Sequence, residues 1–127
     1  MAAGKYNFIV EQGSQHEVTF NYANDEGTGI DLTGYRIRMG VKDHITDVDY
    51  VYRASSDATV DIDYEENFTL LPQTGGTLGS FKLTIPSAVS DGFTFNQGVY
   101  DIELVNSSGA VTRILEGKFK IKPQVTD

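Results

Sequence analysis

Alternation of apolar and polar residues at period two is the feature that most constrains this chain. It is clearest in YRIRMGVK, residues 35–42. The apolar members of that segment are Tyr35, Ile37, Met39 and Val41. Such alternation is typical of a half-buried β-strand. No segment repeats apolar residues at helical spacing over ten residues or more, so we expect a fold built from strands.

The same alternation recurs at roughly ten-residue spacing, between turns rich in Gly, Asn and Asp. We predict one helical turn in 86–93, where Pro86 and Ser87 form a start signal. A terminal hairpin closes around NSSG, and we expect its partner strands to lie within the same domain. The predicted strands are 5–11, 16–23, 35–42, 48–54, 58–64, 80–85, 99–105 and 110–122, and 67–71 is either a short strand or an extended loop before Pro72. This pattern predicts an all-β sandwich or barrel, and alternation alone leaves the choice between them open.

Length and composition bound the organisation of the chain. A sequence of 127 residues with 39% hydrophobic residues has room for one independent core, so we predict a single domain spanning 1–127. The chain has no Cys, which excludes disulfides and agrees with synthesis in a reducing cytoplasm. It has neither an apolar run near 18 residues nor a signal-peptide pattern, so we expect no membrane partner.

The net charge of −8 is concentrated in an acidic insert at about 43–66. Eight carboxylates and one base, Arg53, give that insert a charge of −7, which leaves about −1 for the rest of the chain. The carboxylates are Asp43, Asp47, Asp49, Asp57, Asp61, Asp63, Glu65 and Glu66. Because no basic cluster is available to neutralise phosphates, we expect no nucleic-acid partner.

Calcium binding is one hypothesis for the acidic insert. In a strand over DIDYE, the side chains of Asp61, Asp63 and Glu65 would project to one face, where Asp57 or Glu66 could join them. Carboxylate oxygens at this density suit Ca²⁺, although the EF-hand loop is missing. The alternative is that these charges are solvated and protect an edge strand against aggregation.

A contact surface is a second hypothesis for the insert, because Tyr50, Tyr52 and Tyr64 lie among its carboxylates and could contact a protein or a sugar. The alternative is ordinary packing of these three side chains. Catalysis has less support. The chain lacks Cys and a G-x-S-x-G elbow, and we expect both histidines, His16 and His44, to be solvated. We therefore predict a protein that is not an enzyme and takes no small-molecule substrate.

Two stretches carry a resemblance to a known family. YNFIVEQGSQHEVTFNYANDEGTGIDLTGYRIRMGVK and VYDIELVNSSGAVTRILEGKFKIKPQVT resemble small phage virion proteins of tail and baseplate regions, and are similar to the N-terminal domain of siphophage upper baseplate proteins. The matching features include the DEG turn, DLTGY and the terminal YDIELV…LEG pattern, about 65 residues in all. Residues 43–86 match less well, and the acidic insert makes this region longer than the family norm.

The resemblance implies an immunoglobulin-like antiparallel β-sandwich of about 7–9 strands, with no catalytic residues. It implies a structural protein of the virion, made in the host cytoplasm, that acts as a tail or baseplate adaptor with other virion proteins or copies of itself as partners. A capsid decoration protein is the alternative within this class. A Ca²⁺- or carbohydrate-binding β module is the alternative from another class.

Charge suggests how such a module could assemble. The basic residues of the last strand would form a patch opposite the acidic insert, and the two faces could meet between neighbouring copies or against a different virion protein. The alternative is that both faces are solvated. The interaction candidates are Arg113, Lys118, Lys120, Lys122, Asp57, Asp61, Asp63 and Glu66.

Three further residues have predicted structural roles. In DLTGY, we expect Leu32 to plug one end of the sandwich and Gly34 to permit a tight approach. Gly117 lies inside a predicted strand, where Gly often marks a bulge or a close backbone neighbour.

Overall fold

The structure, a computed structural model, describes residues 4–123. The strands are β1 (Gly4–Lys5), β2 (Phe8–Glu11), β3 (His16–Asn21), β4 (Arg36–Lys42), β5 (Tyr52–Ser55), β6 (Phe68–Leu70), β7 (Ser80–Ile85), β8 (Gln97–Val105) and β9 (Val111–Lys122). One short helix, α1 (Ser87–Asp91), and one 3-10 turn, Gly75–Thr77, accompany them. No helix within 4–123 is long and apolar enough to cross a membrane. The final residues of the resemblance, Val125 and Thr126, lie outside the described range.

Two sheets pack face to face, which confirms the predicted immunoglobulin-like sandwich and decides against a barrel. We call the larger sheet, in the order β1-β9-β8-β4-β5 with β2 also on β9, the front sheet. The back sheet has the order β3-β7-β6. Two packed sheets of this kind are typical of an immunoglobulin-like sandwich. The sandwich is antiparallel except that β1 and β2 run parallel to β9.

The core lies between the sheets and follows the alternation in the sequence. In β4 the side chains of Ile37, Met39 and Val41 are fully buried, and β7 contributes its own alternate apolar residues. Leu32 is also fully buried and joins this core, as predicted. The aromatic ring of Phe8 contacts those of its neighbours edge-on or tilted, in geometries that contribute about 0.5–1.5 kcal/mol per pair beyond the area they bury.

The two predicted glycine roles have different outcomes. Gly117 has a close backbone neighbour, as predicted: a Cβ on it would overlap the carbonyl oxygen of Tyr6. The predicted tight approach at Gly34 is wrong, because nothing lies within 4 Å of the position of its Cβ. Its φ of 83° and the Tyr35 N–H to Leu32 O hydrogen bond show that a turn requires this glycine.

The predicted strand over 58–64 is also wrong, because this segment forms consecutive turns. A strand over 58–64 would place Val60 and Ile62 together on one face suited to burial, yet they are 56% and 79% exposed. The physical reason is local side-chain capping. The carboxylate of Asp57 accepts from the Thr59 N–H and hydroxyl, and that of Glu66 accepts from the Ala58 N–H, so these turns satisfy their own backbone.

Candidate interaction surface

The acidic insert forms two segments, one on either side of β5 in the chain. The first acidic segment, 43–51, connects β4 to β5, and the second acidic segment, 56–66, follows β5. The end of the second segment returns along β5, where the Ser55 N–H donates to Glu65 O at 2.8 Å and the Glu65 N–H to Arg53 O at 3.0 Å. The second segment therefore covers this edge of the front sheet, which limits uncontrolled strand pairing there.

Exposed apolar side chains are concentrated in these two segments. Among residues 4–123, six of the nine exposed large hydrophobic side chains belong to them. The six are Ile45, Val48, Tyr50, Val51, Val60 and Ile62. The most exposed are Val48, at 89%, and Ile45 and Ile62, both at 79%. An apolar group that is exposed among charged residues marks a surface suited to a protein contact.

The carboxylates of the insert have different surroundings. Asp61 is 8% exposed and accepts from Arg36 Nε at 2.8 Å and from the Ser55 hydroxyl at 2.6 Å. Arg38 extends this cluster, with Nε 2.9 Å from Glu103 Oε1 and Nη1 3.8 Å from Asp61 Oδ1. Asp61 was expected to be an interaction or calcium residue. It is instead the acceptor that fastens the second acidic segment to β4.

Other carboxylates of the insert serve the turns or face solvent. Hydrogen bonds from the Thr59 hydroxyl and N–H lower the pKa of Asp57, and Asp47 accepts from the His44 N–H. The exposed carboxylates of Asp49, Asp63 and Glu65 make no hydrogen bond or ion pair within the described range. The carboxylates that are available to a partner are therefore different from those that form hydrogen bonds within the turns.

The calcium hypothesis gains no geometric support. Asp61, Asp63 and Glu65 lie in turns and a bridge rather than on one face of a strand, and the Asp61 carboxylate is occupied by arginine. No group of three or more His, Asp or Glu side chains between residues 4 and 123 could hold a metal ion.

The three tyrosines of the insert divide between core and surface. Tyr50 lies on Gly40, where a Cβ would be 2.5 Å from the ring, and the Arg53 guanidinium stacks between the Tyr50 and Tyr64 rings at 4.9 and 5.0 Å. Tyr52 is buried in the core, as the alternative of ordinary packing predicts. Burial raises the pKa of Tyr52 to about 12, and the side chain of Asn67 donates to its hydroxyl. The Tyr50–Arg53–Tyr64 stack gives the surface a rigid aromatic part.

The basic candidates share the outer face of β9. Strand alternation alone would put Arg113 on the opposite face from Lys118, Lys120 and Lys122, but a bulge between the Leu115 and Arg113 pairings restores Arg113 to the outer face. Arg113 Nε lies 3.2 Å from Asp101 Oδ2, and Lys122 Nζ lies 3.9 Å from Glu11 Oε1. In the front sheet β8 and β4 separate β9 from β5. The first acidic segment nevertheless reaches the outer face of this sheet, where Ile45 and Tyr50 line one surface depression together with Arg113.

The histidines differ from each other. The side chain of His44 is 77% exposed, as expected. His16 is half-buried, which corrects its expected solvation, and its Nε2 is buried with no hydrogen-bond partner among residues 4–123. Burial lowers the pKa of His16, and the Glu11 carboxylate opposes part of that effect.

Comparison with protein-family models and with curated proteins finds no match. Matching solved structures include that of Tim-1, which aligns over 100% of this chain and 99% of its own length, at 12% identity and a TM-score of 0.45. A likeness at this level carries no argument about function.

Proposed function

We propose that this chain is a non-enzymatic assembly module of a phage virion, an adaptor of the tail or baseplate region that binds other virion proteins or further copies of itself. The observation that carries the protein-contact part is the concentration of exposed apolar side chains among unpaired carboxylates in the two acidic segments. The virion part is supported by the resemblance at the two ends of the chain.

The contact chemistry combines apolar burial with charge. Ile45 and Val48 are short-range anchors, each able to contribute about 1.5–3 kcal/mol when fully buried. Exposed carboxylates such as Asp49 and Asp63 steer a basic partner and exclude an acidic one. The Tyr50–Arg53–Tyr64 stack needs little further ordering on binding, since its rings already have defined neighbours.

If the partner is a second copy, the acidic segments of one copy would meet the lysines of β9 of the next copy in a head-to-tail contact. Lys118, Lys120 and Lys122 share the outer face of β9, which β8 and β4 separate from β5 and its acidic segments. Such a heterologous contact closes into a ring or continues as a filament. Rings and stacked assemblies of this kind suit a tail or baseplate component.

The solution mass of the purified chain, measured by light scattering from about 0.05 to 0.5 M salt, tests self-assembly. A closed oligomer that dissociates as the salt concentration rises supports a contact between copies that depends on complementary charge. A double variant, Ile45→Ser with Val48→Ser, should then be monomeric. Thr69→Ser is the control, because Thr69 is exposed on β6 of the back sheet and belongs to neither proposed contact face.

Cross-linking within purified particles of the encoding phage tests the virion assignment. Cross-links from 43–66 to a tail or baseplate protein would support the adaptor proposal. Cross-links to the major capsid protein would favour the capsid decoration alternative. Particles that lack the chain altogether would contradict both.

A further inference from the structure

The outer edge of the back sheet is open along β3. This sheet has the order β3-β7-β6, so β3 pairs with β7 on one side and with no strand of the described chain on the other. Six residues long, β3 has neither a proline nor a bulge against β7, and so lacks two usual means of blocking an edge.

The backbone groups that face outward from β3 can be assigned from its register. The Tyr22 N–H donates to Gly79 O, and the Thr84 N–H donates away from β3, to Asn67 O. Because hydrogen-bonded and non-hydrogen-bonded pairs alternate along an antiparallel ladder, the even-numbered residues of β3 bond to β7. The N–H and C=O groups of Glu17, Thr19 and Asn21 therefore point away from the sheet, and no backbone hydrogen bond between described residues uses them.

The sandwich is also incompletely filled beside this edge. The core-facing side chains of β3, Val18 and Phe20, are only half-buried, whereas those of β4 are fully buried. A largely apolar groove of about 200 Å³ continues from β3 to the start of β9. Its lining includes Phe20, Tyr22, Phe81, Ile114 and Leu115. For comparison, an apolar cavity of ~150 Å³ accommodates a benzene ring.

The charge around the edge is mainly acidic, although Lys82 of β7 pairs with Thr19. Between residues 6 and 35 the sequence has five carboxylates and neither Lys nor Arg. The five are Glu11, Glu17, Asp25, Glu26 and Asp31. Glu11 and Glu17 have only long contacts, of 3.9 and 3.8 Å, to lysines of β9 and β7. An occupant with basic side chains would thus meet complementary charge.

We propose that β3 accepts a β-strand from a different polypeptide, an extended segment in which apolar residues alternate with Lys or Arg. A row of N–H and C=O groups at two-residue spacing is matched by another extended backbone, the mode known as strand addition. The apolar side chains of the donated strand enter the groove beside Phe20 and Leu115, and its basic side chains face the acidic surroundings of β3. This surface is separate from the acidic segments 43–51 and 56–66, so the inference holds or fails independently of the proposed function.

The test uses the full chain and synthetic seven-residue peptides in which Lys alternates with Val, Leu or Phe. Binding is followed by amide NMR shifts and amide hydrogen exchange, with peptide up to about 1 mM. We expect a peptide of this set to slow exchange at the amides of Glu17, Thr19 and Asn21 at least tenfold. Peptides with Asp in place of Lys should bind at least tenfold more weakly.

A substitution at the edge makes the test specific to the backbone. Thr19→Pro removes an N–H that the fold does not use, at a position where an edge strand tolerates proline, and should weaken peptide binding at least tenfold. Thr19→Val, which keeps the N–H, should bind as the unsubstituted chain does. Exchange in the unsubstituted chain tests the proposal even if Thr19→Pro fails to fold.

Three results would overturn the proposal. The first is the absence of shifts with every peptide, or shifts confined to another surface. The second is equal affinity in Thr19→Pro and the unsubstituted chain. The third is protection of the three amides without peptide that grows with protein concentration, since a second copy would then occupy the edge.

Discussion

Arg36 and Asp61 form the connection that joins the second acidic segment to the front sheet. Arg36 Nε donates to Asp61 Oδ2 at 2.8 Å, although the two residues are 25 positions apart in sequence. The Asp61 side chain is 7% exposed and the Arg36 side chain 24%, so the pair is largely shielded from solvent. This arrangement turns one member of the acidic insert into a structural residue.

Asp61→Ala should therefore destabilise the fold. The substitution removes the acceptor of the Arg36 and Ser55 hydrogen bonds and one ion-pair partner of Arg38, which keeps its hydrogen bond to Glu103. We expect a cost of about 2–3 kcal/mol in the free energy of unfolding. Urea denaturation measures it. Asp63→Asn is the matched control, because its exposed carboxylate has no ion pair within the described chain and should change stability by less than about 0.5 kcal/mol. Equal effects of the two changes would show that Asp61 has no structural role.

Gly117→Ala should disturb the packing of the N-terminal strands on β9. Its Cβ would overlap the carbonyl oxygen of Tyr6, the same oxygen that accepts from the Tyr100 hydroxyl. We expect a loss of about 1–3 kcal/mol in the free energy of unfolding. Gly76→Ala is the control, since nothing lies within 4 Å of the Cβ position at Gly76. A Gly117→Ala protein as stable as the control would contradict this account.

His16 should make the fold less stable in mild acid. Burial lowers the pKa of His16 in the folded state, relative to about 6.5 in an unfolded chain. The unfolded state therefore binds more protons, so the free energy of unfolding falls as pH drops below about 6.5. His16→Gln should lose less stability than the unsubstituted chain between about pH 7.5 and 5.5, in urea titrations at both values. The same loss in both proteins would argue against His16 as the source.

Calcium should leave the thermal midpoint unchanged. A ligand that binds the folded state raises stability in proportion to ln(1 + [L]/Kd), and Asp61, one of the three carboxylates in the calcium hypothesis, already binds Arg36. With about 5 mM Ca²⁺ and matched ionic strength we expect a shift below about 1 °C. A saturable rise of several degrees in the thermal midpoint, abolished by Asp63→Asn, would support the calcium hypothesis.

Much of the fold was predictable from sequence because the alternation in β4 and β7 is local. Ile37, Met39 and Leu83 are fully buried where the period-two pattern places them. The turn at Asn24–Gly27 was likewise predicted from residue type, and Gly27 has a φ of 85° there. The surface that bears charge was predictable as well, since the excess of carboxylates is a property of composition.

The sequence by itself thus determined the strand-rich class, the buried faces of the long strands and the acidic character of 43–66. Tertiary structure alone decided which carboxylates are free, because Asp61 meets Arg36 and Arg38 only once β4 and the second acidic segment are brought together. It also decided that β9 carries Arg113 on the same face as Lys118, through a bulge that strand alternation does not encode. The open edge of β3 depends on the order of strands in the back sheet. That order is set by long-range packing, which a local periodicity in the sequence does not encode.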